Sequence, residues 1–309
     1  MAGAFTHFII CDVAKRKRSV LGFERWRFLN KYSEFLFLGS ASPDLPYLSF
    51  KTGDVNWADV MHYEKTNGIV IGGYDFLKAA WPNRTVADEI KFAWLMGYAS
   101  HLVADATIHP IVQAIVGPYY ENKENHRICE MTQDSLIFNE YKKNDIYYAE
   151  FSSILKFCNE SEAFNELIDF WKNQIIQNYQ DKTEEPNPKL WFMTYTEAID
   201  TAEGGSGAAA LFRHIGFSKE YFYRSREEII SNYPNYYQNY FKTVNLPGGA
   251  TGSFKKEGFE RTISNVLSVW NFLFSGLNEN IVVADVIKNW NLDTGVDLDA
   301  SNSEVTYWV

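Results

Sequence analysis

Apolar residues recur along this chain at helical spacing, and alternating runs that would mark strands are few. The amphipathic, aromatic-rich stretch over 23–37 predicts a helix that stops at the turn formers Gly39-Ser40-Ala41-Ser42-Pro43. A shorter helix is predicted over 55–65, closed by Asn67-Gly68. The strongest pattern covers 86–108. Thr85 followed three residues later by Asp88 supplies a capping signature there, and Pro110, which disfavours helical geometry at His109, marks the end. Further helices are predicted over 121–143, 161–179, 189–203, 208–215, 220–230 and 254–274. A surface loop, Glu184-Glu185-Pro186-Asn187-Pro188, and two glycine clusters, Gly204-Gly205-Ser206-Gly207 and Gly248-Gly249, interrupt the later elements. The first cluster reads as a mobile loop near a cleft or a linker, since neither has phosphate-loop spacing. The tyrosine-rich run 233–241 reads as core packing, with a lipid-facing role as the alternative. Residues 289–309 are rich in turn formers and give no assignable element.

These elements predict an all-α, multi-helical fold with additional C-terminal helices, in one mainly α domain over 1–309. The chemistry-bearing residues fall within 1–140, leaving 141–309 as a helical remainder that completes a cleft. The 309 residues are 46% hydrophobic and 22% charged, which excludes a disordered chain and allows a full core without a disulfide or metal staple. Lys and Arg number 29 against 39 acids, a net charge of -10. No stable nucleic-acid complex is expected unless cations cluster or bound metal supplies positive charge. Cys11, Cys129 and Cys158 are widely spaced with no CxxC pair, so they read as small buried hydrophobes, not a disulfide framework or thiolate zinc site. No stretch approaches the roughly 18–20 apolar residues of a membrane span. The opening MAGAFTHFIICDVAKRKR has its apolar run before its basic one, the reverse of a secretory signal, so a cytoplasmic location is expected.

Histidine placement adds the chemistry. Five of the six histidines, His7, His62, His101, His109 and His126, lie in the first 126 residues. His101 and Asp105 are one helical turn apart and share a face, and His109 falls within about 80° of His101. The next predicted helix repeats the spacing with His126 and Glu130, and Asp134 follows one turn later. Spacing alone is weak, because about one such pair is expected by chance from 39 acids among 309 residues. The surroundings carry more weight. The segment around His101 is small and apolar, and a carboxylate buried there costs several kcal/mol unless it is paired or bound to metal. A hydrogen-bonded His–Asp core pair is the alternative. Imidazole and carboxylate donors without thiolate suit Zn²⁺, Mn²⁺ or Fe²⁺, zinc above all. Five histidines and several acids exceed the ligands of one zinc, so a cluster of two or three ions is implied, with Asp105 able to bridge. Such clusters mostly cleave phosphate esters.

At these residues the sequence resembles the zinc-dependent phospholipase C family, related in fold to single-strand nucleases. The resembling pieces are Ala2-Gly3-Ala4-Phe5-Thr6-His7, Gly39-Ser40-Ala41-Ser42-Pro43-Asp44 and Trp57-Ala58-Asp59-Val60-Met61-His62. They continue with Gly97-Tyr98-Ala99-Ser100-His101-Leu102-Val103-Ala104-Asp105, then His109-Pro110, and His126-Arg127 with Glu130. The resemblance implies a phospholipase C-like helical bundle. It implies one zinc on Asp44, His62, His101 and Asp105, and a second on His109, His126 and Glu130. A third would sit on His7 and Asp105 with the N-terminal amine and first carbonyl. It also makes the residue at Asp44 a candidate general base. Asp59 and Asp134 read as partners that orient ligating histidines, with exposed helix-face carboxylates as the alternative. The departure is at the N-terminus, where secreted members expose a tryptophan after signal cleavage and removal of Met1 here would expose Ala2.

The implied function is a zinc-dependent phosphodiesterase acting on phosphate esters, phospholipid among them, through metal-bound hydroxide. The alternatives are a nuclease or nucleotide phosphohydrolase on the same site, or a non-catalytic binding protein that the metal stabilises.

Overall fold

The computed structural model describes residues 3–49, 52–146, 149, 151–206 and 223–308. Among the described residues, two single-turn helices aside, it is organised by α1 (Ala4–Lys15), α2 (Phe23–Lys31), α3 (Ser33–Ala41), α4 (Thr52–Tyr63), α5 (Gly68–Ala80), α6 (Val86–Val116), α7 (Tyr119–Lys142), α8 (Ser152–Glu160), α9 (Phe164–Asn178), α10 (Pro188–Ser206), α11 (Arg226–Asn232) and α12 (Arg261–Gly276). Short 3₁₀ and π turns join some of them, and the strands among the described residues are two-residue ladders. The fold is all-α, as expected, and among the described residues no helix is long and apolar enough to cross a membrane.

A capping box starts the central element. The Asp88 N–H donates to the Thr85 hydroxyl (3.2 Å) and the Thr85 N–H donates to the Asp88 carboxylate (3.0 Å). From there α6 runs through the middle of the protein, and every residue from Ile90 to Val112 is buried. A helix apolar on all sides must be enclosed, and α1, α3, α5, α9 and α12 surround it. The apolar core formed this way is continuous from Phe5 to Leu292.

Several predicted boundaries move, each for a packing reason. The helix expected over 23–37 breaks at Tyr32 (φ -116°), whose hydroxyl donates to Glu89 at the start of α6. Its second part does not stop at Gly39 but continues to Ala41. Gly39 is a notch: a Cβ there would lie 2.0 Å from the Trp94 carbonyl oxygen, and one on Gly97 would lie 2.0 Å from that of Leu36. The two glycines let α3 and α6 cross backbone to backbone. Pro110 likewise fails to end α6, which continues to Val116. The C-terminal segment covers that turn: Trp308 Nε1 donates to the Thr107 carbonyl (2.9 Å), and Gly295 lies so close to the Ala106 carbonyl that a Cβ would be 2.5 Å away. Burial between neighbours compensates the lost hydrogen bond of the proline.

The later chain is also revised. Gly204 and Gly205 lie inside α10 instead of a loop, while Gly207 and the helix predicted over 208–215 fall outside the described residues. Of the helix predicted over 220–230, the described part begins at Arg226. Gly248 and Gly249, both at positive φ, make the turn between the strands Val244–Asn245 and Thr251–Gly252. Residues 289–309, unassignable from sequence, contain a hairpin of Trp290–Asn291 with Val296–Asp297.

Candidate metal centre

Five segments bring the eight predicted site residues together. α6 presents His101, Asp105 and His109 on successive turns of one face, and α1 delivers His7 from its first turn. His62 comes from the last turn of α4, and Asp44 from the 3₁₀ segment Ser42–Ser49 after the glycine crossing. α7 contributes His126 and Glu130. All are buried except Asp44, whose side chain is 12% exposed and forms the rim.

Asp105 is the hub. Its Oδ1 lies 3.2 Å from His7 Nε2 and 3.5 Å from His109 Nε2; its Oδ2 lies 3.2 Å from His101 Nε2 and 3.8 Å from His62 Nε2. On one side, Asp44 Oδ1 is 3.2 Å from His62 Nε2 and 3.8 Å from His101 Nε2. On the other, Glu130 Oε1 is 3.0 Å from His126 Nε2 and 3.3 Å from His109 Nε2. Three groups have donor atoms mutually close enough to hold an ion: His7, His101 and Asp105; Asp44, His62 and His101; His109, His126 and Glu130.

The hydrogen bonds decide what these nitrogens are. His62 Nδ1 meets the Ala58 carbonyl at 2.7 Å, His101 Nδ1 the Ser40 carbonyl at 2.8 Å, and His109 Nδ1 the Leu292 carbonyl at 2.7 Å. A carbonyl only accepts, so each Nδ1 carries a proton and each ring turns its Nε2 inward. Those nitrogens face carboxylate oxygens, and His62 and His101 face each other with Nε2 atoms 3.4 Å apart, a gap that one shared proton or a bound cation bridges. His7 Nε2, His109 Nε2 and Asp44 Oδ1 are buried without a hydrogen-bond partner among the described residues, which is the state of donor atoms awaiting a metal. Oxygen and imidazole donors with carbonyl-locked Nδ1–H groups fit zinc.

Charge in the pocket points the same way. Burial pushes the Asp105 carboxyl up, but His109, His101 and His7 outweigh it and hold the group well below the ordinary carboxylate range. Asp44 is lowered likewise, with burial opposed by His101 and His62. Burial depresses His126 against the pull of Glu130, so it stays a neutral donor.

The rim holds residues that spacing did not single out. Tyr47 packs 5.5 Å from the His62 ring and donates to Asp59 (2.9 Å), and Tyr63 donates to Asp293 (2.9 Å). Tyr119 stands edge-on to His126 at 4.9 Å. Burial pushes the Tyr47 and Tyr63 phenols far up, and that of Tyr119 to about 12, so all three remain protonated donors. Asp59 is thus exposed and bonded to a tyrosine, not placed to orient a histidine. Asp134 does not orient one directly either. Fully buried on α7, it accepts from the Thr6 N–H (2.9 Å), the Thr6 hydroxyl (2.6 Å) and the Tyr223 hydroxyl (2.7 Å), and so caps the start of α1 beside His7. Gly3 is required there, since a Cβ would lie 2.0 Å from Asp134 Oδ2. Met1, Ala2 and His214 lie outside the described residues.

The zinc-dependent phospholipase C family model matches residues 6–182, more than half of the chain and a span within which all eight of these residues lie. The chain belongs to that family. No curated protein and no solved structure matches it. Membership makes zinc the family's ion for the donor set described above, and it points to phosphoric ester hydrolysis as the class of chemistry.

Proposed function

We propose that this chain is a zinc-dependent phosphodiesterase of the phospholipase C type, holding two or three ions on His7, Asp44, His62, His101, Asp105, His109, His126 and Glu130. The observation that carries the reading is the set of Nε2 atoms turned inward on buried carboxylates, each ring held by a backbone carbonyl at Nδ1. When bound, zinc neutralises phosphoryl oxygens and lowers the pKa of a shared water. Asp105 fixes the imidazoles on both sides of it. Asp44 is the one carboxylate of the set at the rim, and its lowered pKa keeps it ionised at neutral pH. It takes the proton that the attacking water loses and returns it to the leaving oxygen as the P–O bond breaks. Tyr119 is a phenol donor that orients the ester, while Tyr47 and Tyr63, whose protons go to Asp59 and Asp293, line the rim with their rings.

Elemental analysis together with parallel assays on phosphatidylcholine, p-nitrophenylphosphorylcholine and single-stranded DNA tests this. Two to three zinc per chain with cleavage of the first two substrates is expected. Cleavage of DNA alone moves the reading to a nuclease, zinc without any hydrolysis makes the metal structural, and absence of zinc overturns it.

A further inference from the structure

Beyond the end of α1, away from the donor cluster, the chain reverses its own charge. Outside residues 15–31 there are 22 Lys and Arg against 38 acids, whereas within those residues Lys15, Arg16, Lys17, Arg18, Arg25, Arg27 and Lys31 face only Glu24. The segment is a corner. α1 ends at Lys15, a single turn over Arg18–Leu21 follows, and Gly22 at φ 77° reverses the chain into α2 with open space around it. The reversal leaves two apolar side chains at the apex, Val20 at 53% and Phe23 at 48% exposure. Cations flank them: the Arg18 guanidinium lies 4.9 Å from the Phe23 ring and 5.3 Å from Trp26, and that of Arg27 lies 6.0 Å from Phe23. Nearby carboxylates offset part of the charge, since Asp12 pairs with Lys15 and Arg16, Glu24 with Arg27, and Glu89 with Lys31. Lys15 is largely buried, at 12% side-chain exposure, and Glu34 also acts on it, but Arg16, Lys17, Arg18, Arg25 and Arg27 still leave the corner positive.

We infer that this corner is a docking surface for an anionic lipid bilayer. Exposed apolar side chains ringed by Arg and Lys match an interface where the former enter the headgroup layer and the latter meet lipid phosphates and carboxylates. Single-stranded nucleic acid fits less well. Base stacking needs an open ring face, and here Phe23 and Trp26 are stacked on each other at 5.8 Å and covered by Arg18. The corner is at the far end of α1 from His7, eight residues or about 12 Å along the helix from His7 to Lys15. Docking there is a tether, separate from substrate entry at the Asp44 rim and independent of the proposed activity.

The test is sedimentation of the full-length protein with vesicles of phosphatidylcholine alone or mixed with phosphatidylserine, at low and high salt. Preferential binding to the mixed vesicles, weakened by salt, is expected. K17E/R18E lowers it about tenfold or more, and V20S/F23S several-fold. These side chains are exposed, so the variants keep the wild-type circular dichroism and zinc content. Equal binding to both vesicle types, binding unchanged in both variants, or salt-sensitive binding only to a single-stranded oligonucleotide overturns the inference.

Discussion

The two ends of the donor cluster are built differently. At one end, His62 and His101 are each fixed by a carbonyl of a neighbouring or preceding helical turn, and the His7 ring stacks on that of His101 at 4.1 Å. At the other, His109 is fixed by Leu292, from the far end of the chain, and His126 Nδ1 is buried without a hydrogen-bond partner among the described residues. Apart from Glu130, itself one of the donor set, it is the edge of Tyr119 and the ring of His109 that hold His126 in place. Partners that orient a ligating histidine typically change metal affinity about 10–100-fold. The first end is therefore preorganised, whereas the second relies on packing and on a chain segment that folds back over it.

Substitutions on either side of the hub break or sharpen that contrast. Each Asp105 oxygen faces two imidazoles, so Asp105→Ala removes the group common to both ends and is expected to abolish bound zinc and hydrolysis together. His126→Ala removes one donor from the looser end and is expected to cost one ion per chain while the remainder stays bound. Zinc per chain, measured by elemental analysis on both variants, decides it. Equal losses would mean that the ends assemble as one unit.

The preorganised end depends on the crossing of α3 and α6, which sets the Ser40 carbonyl against His101. A methyl group on Gly97 would meet the Leu36 carbonyl oxygen at 2.0 Å and the Ser40 nitrogen at 2.8 Å, both backbone atoms that cannot swing aside. Gly97→Ala is expected to destabilise the fold by about 3 kcal/mol, at the upper end for overpacking. Chemical denaturation measures this, and a near-neutral result would show that the two helices can part without harm.

Side chains and main chain differ in how much of this the sequence discloses. The all-α fold and the donor residues were legible, because buried carboxylates and imidazoles among small apolar residues have no inexpensive alternative to a cation or to each other. The carbonyls of Ser40, Ala58 and Leu292 were not, since any residue could supply them and only tertiary position selects them. Gly39 and Pro110 misled for a related reason. Each is a helix breaker by local propensity, yet a close helix crossing in one case and full enclosure of the helix in the other override that preference. Asp134 carried a correct signal with an incomplete meaning: its helical spacing placed it beside the cluster, but its partners are distant in sequence, Thr6 at the start of α1 128 residues away and Tyr223 89 residues away.

Asp134 also ties the two ends together, because it sits on the helix that carries His126 and Glu130 and holds the start of the helix that carries His7. Burial raises its carboxyl to about 6, against the hydrogen bonds of Thr6 and Tyr223 that favour the ionised form. The unfolded chain has an ordinary aspartate near 3.9, so between these values the folded protein binds more protons than the unfolded one. The stabilising contribution is therefore present below the unfolded value and is lost as pH rises through about 6. Asp134→Asn cannot titrate and lacks this dependence. The stability of the wild type relative to Asp134→Asn is expected to fall by roughly 2–3 kcal/mol between about pH 4 and pH 7. Urea denaturation of both proteins across that range measures it, and a constant difference would show that the carboxylate is already stabilised in its ionised form by the start of α1.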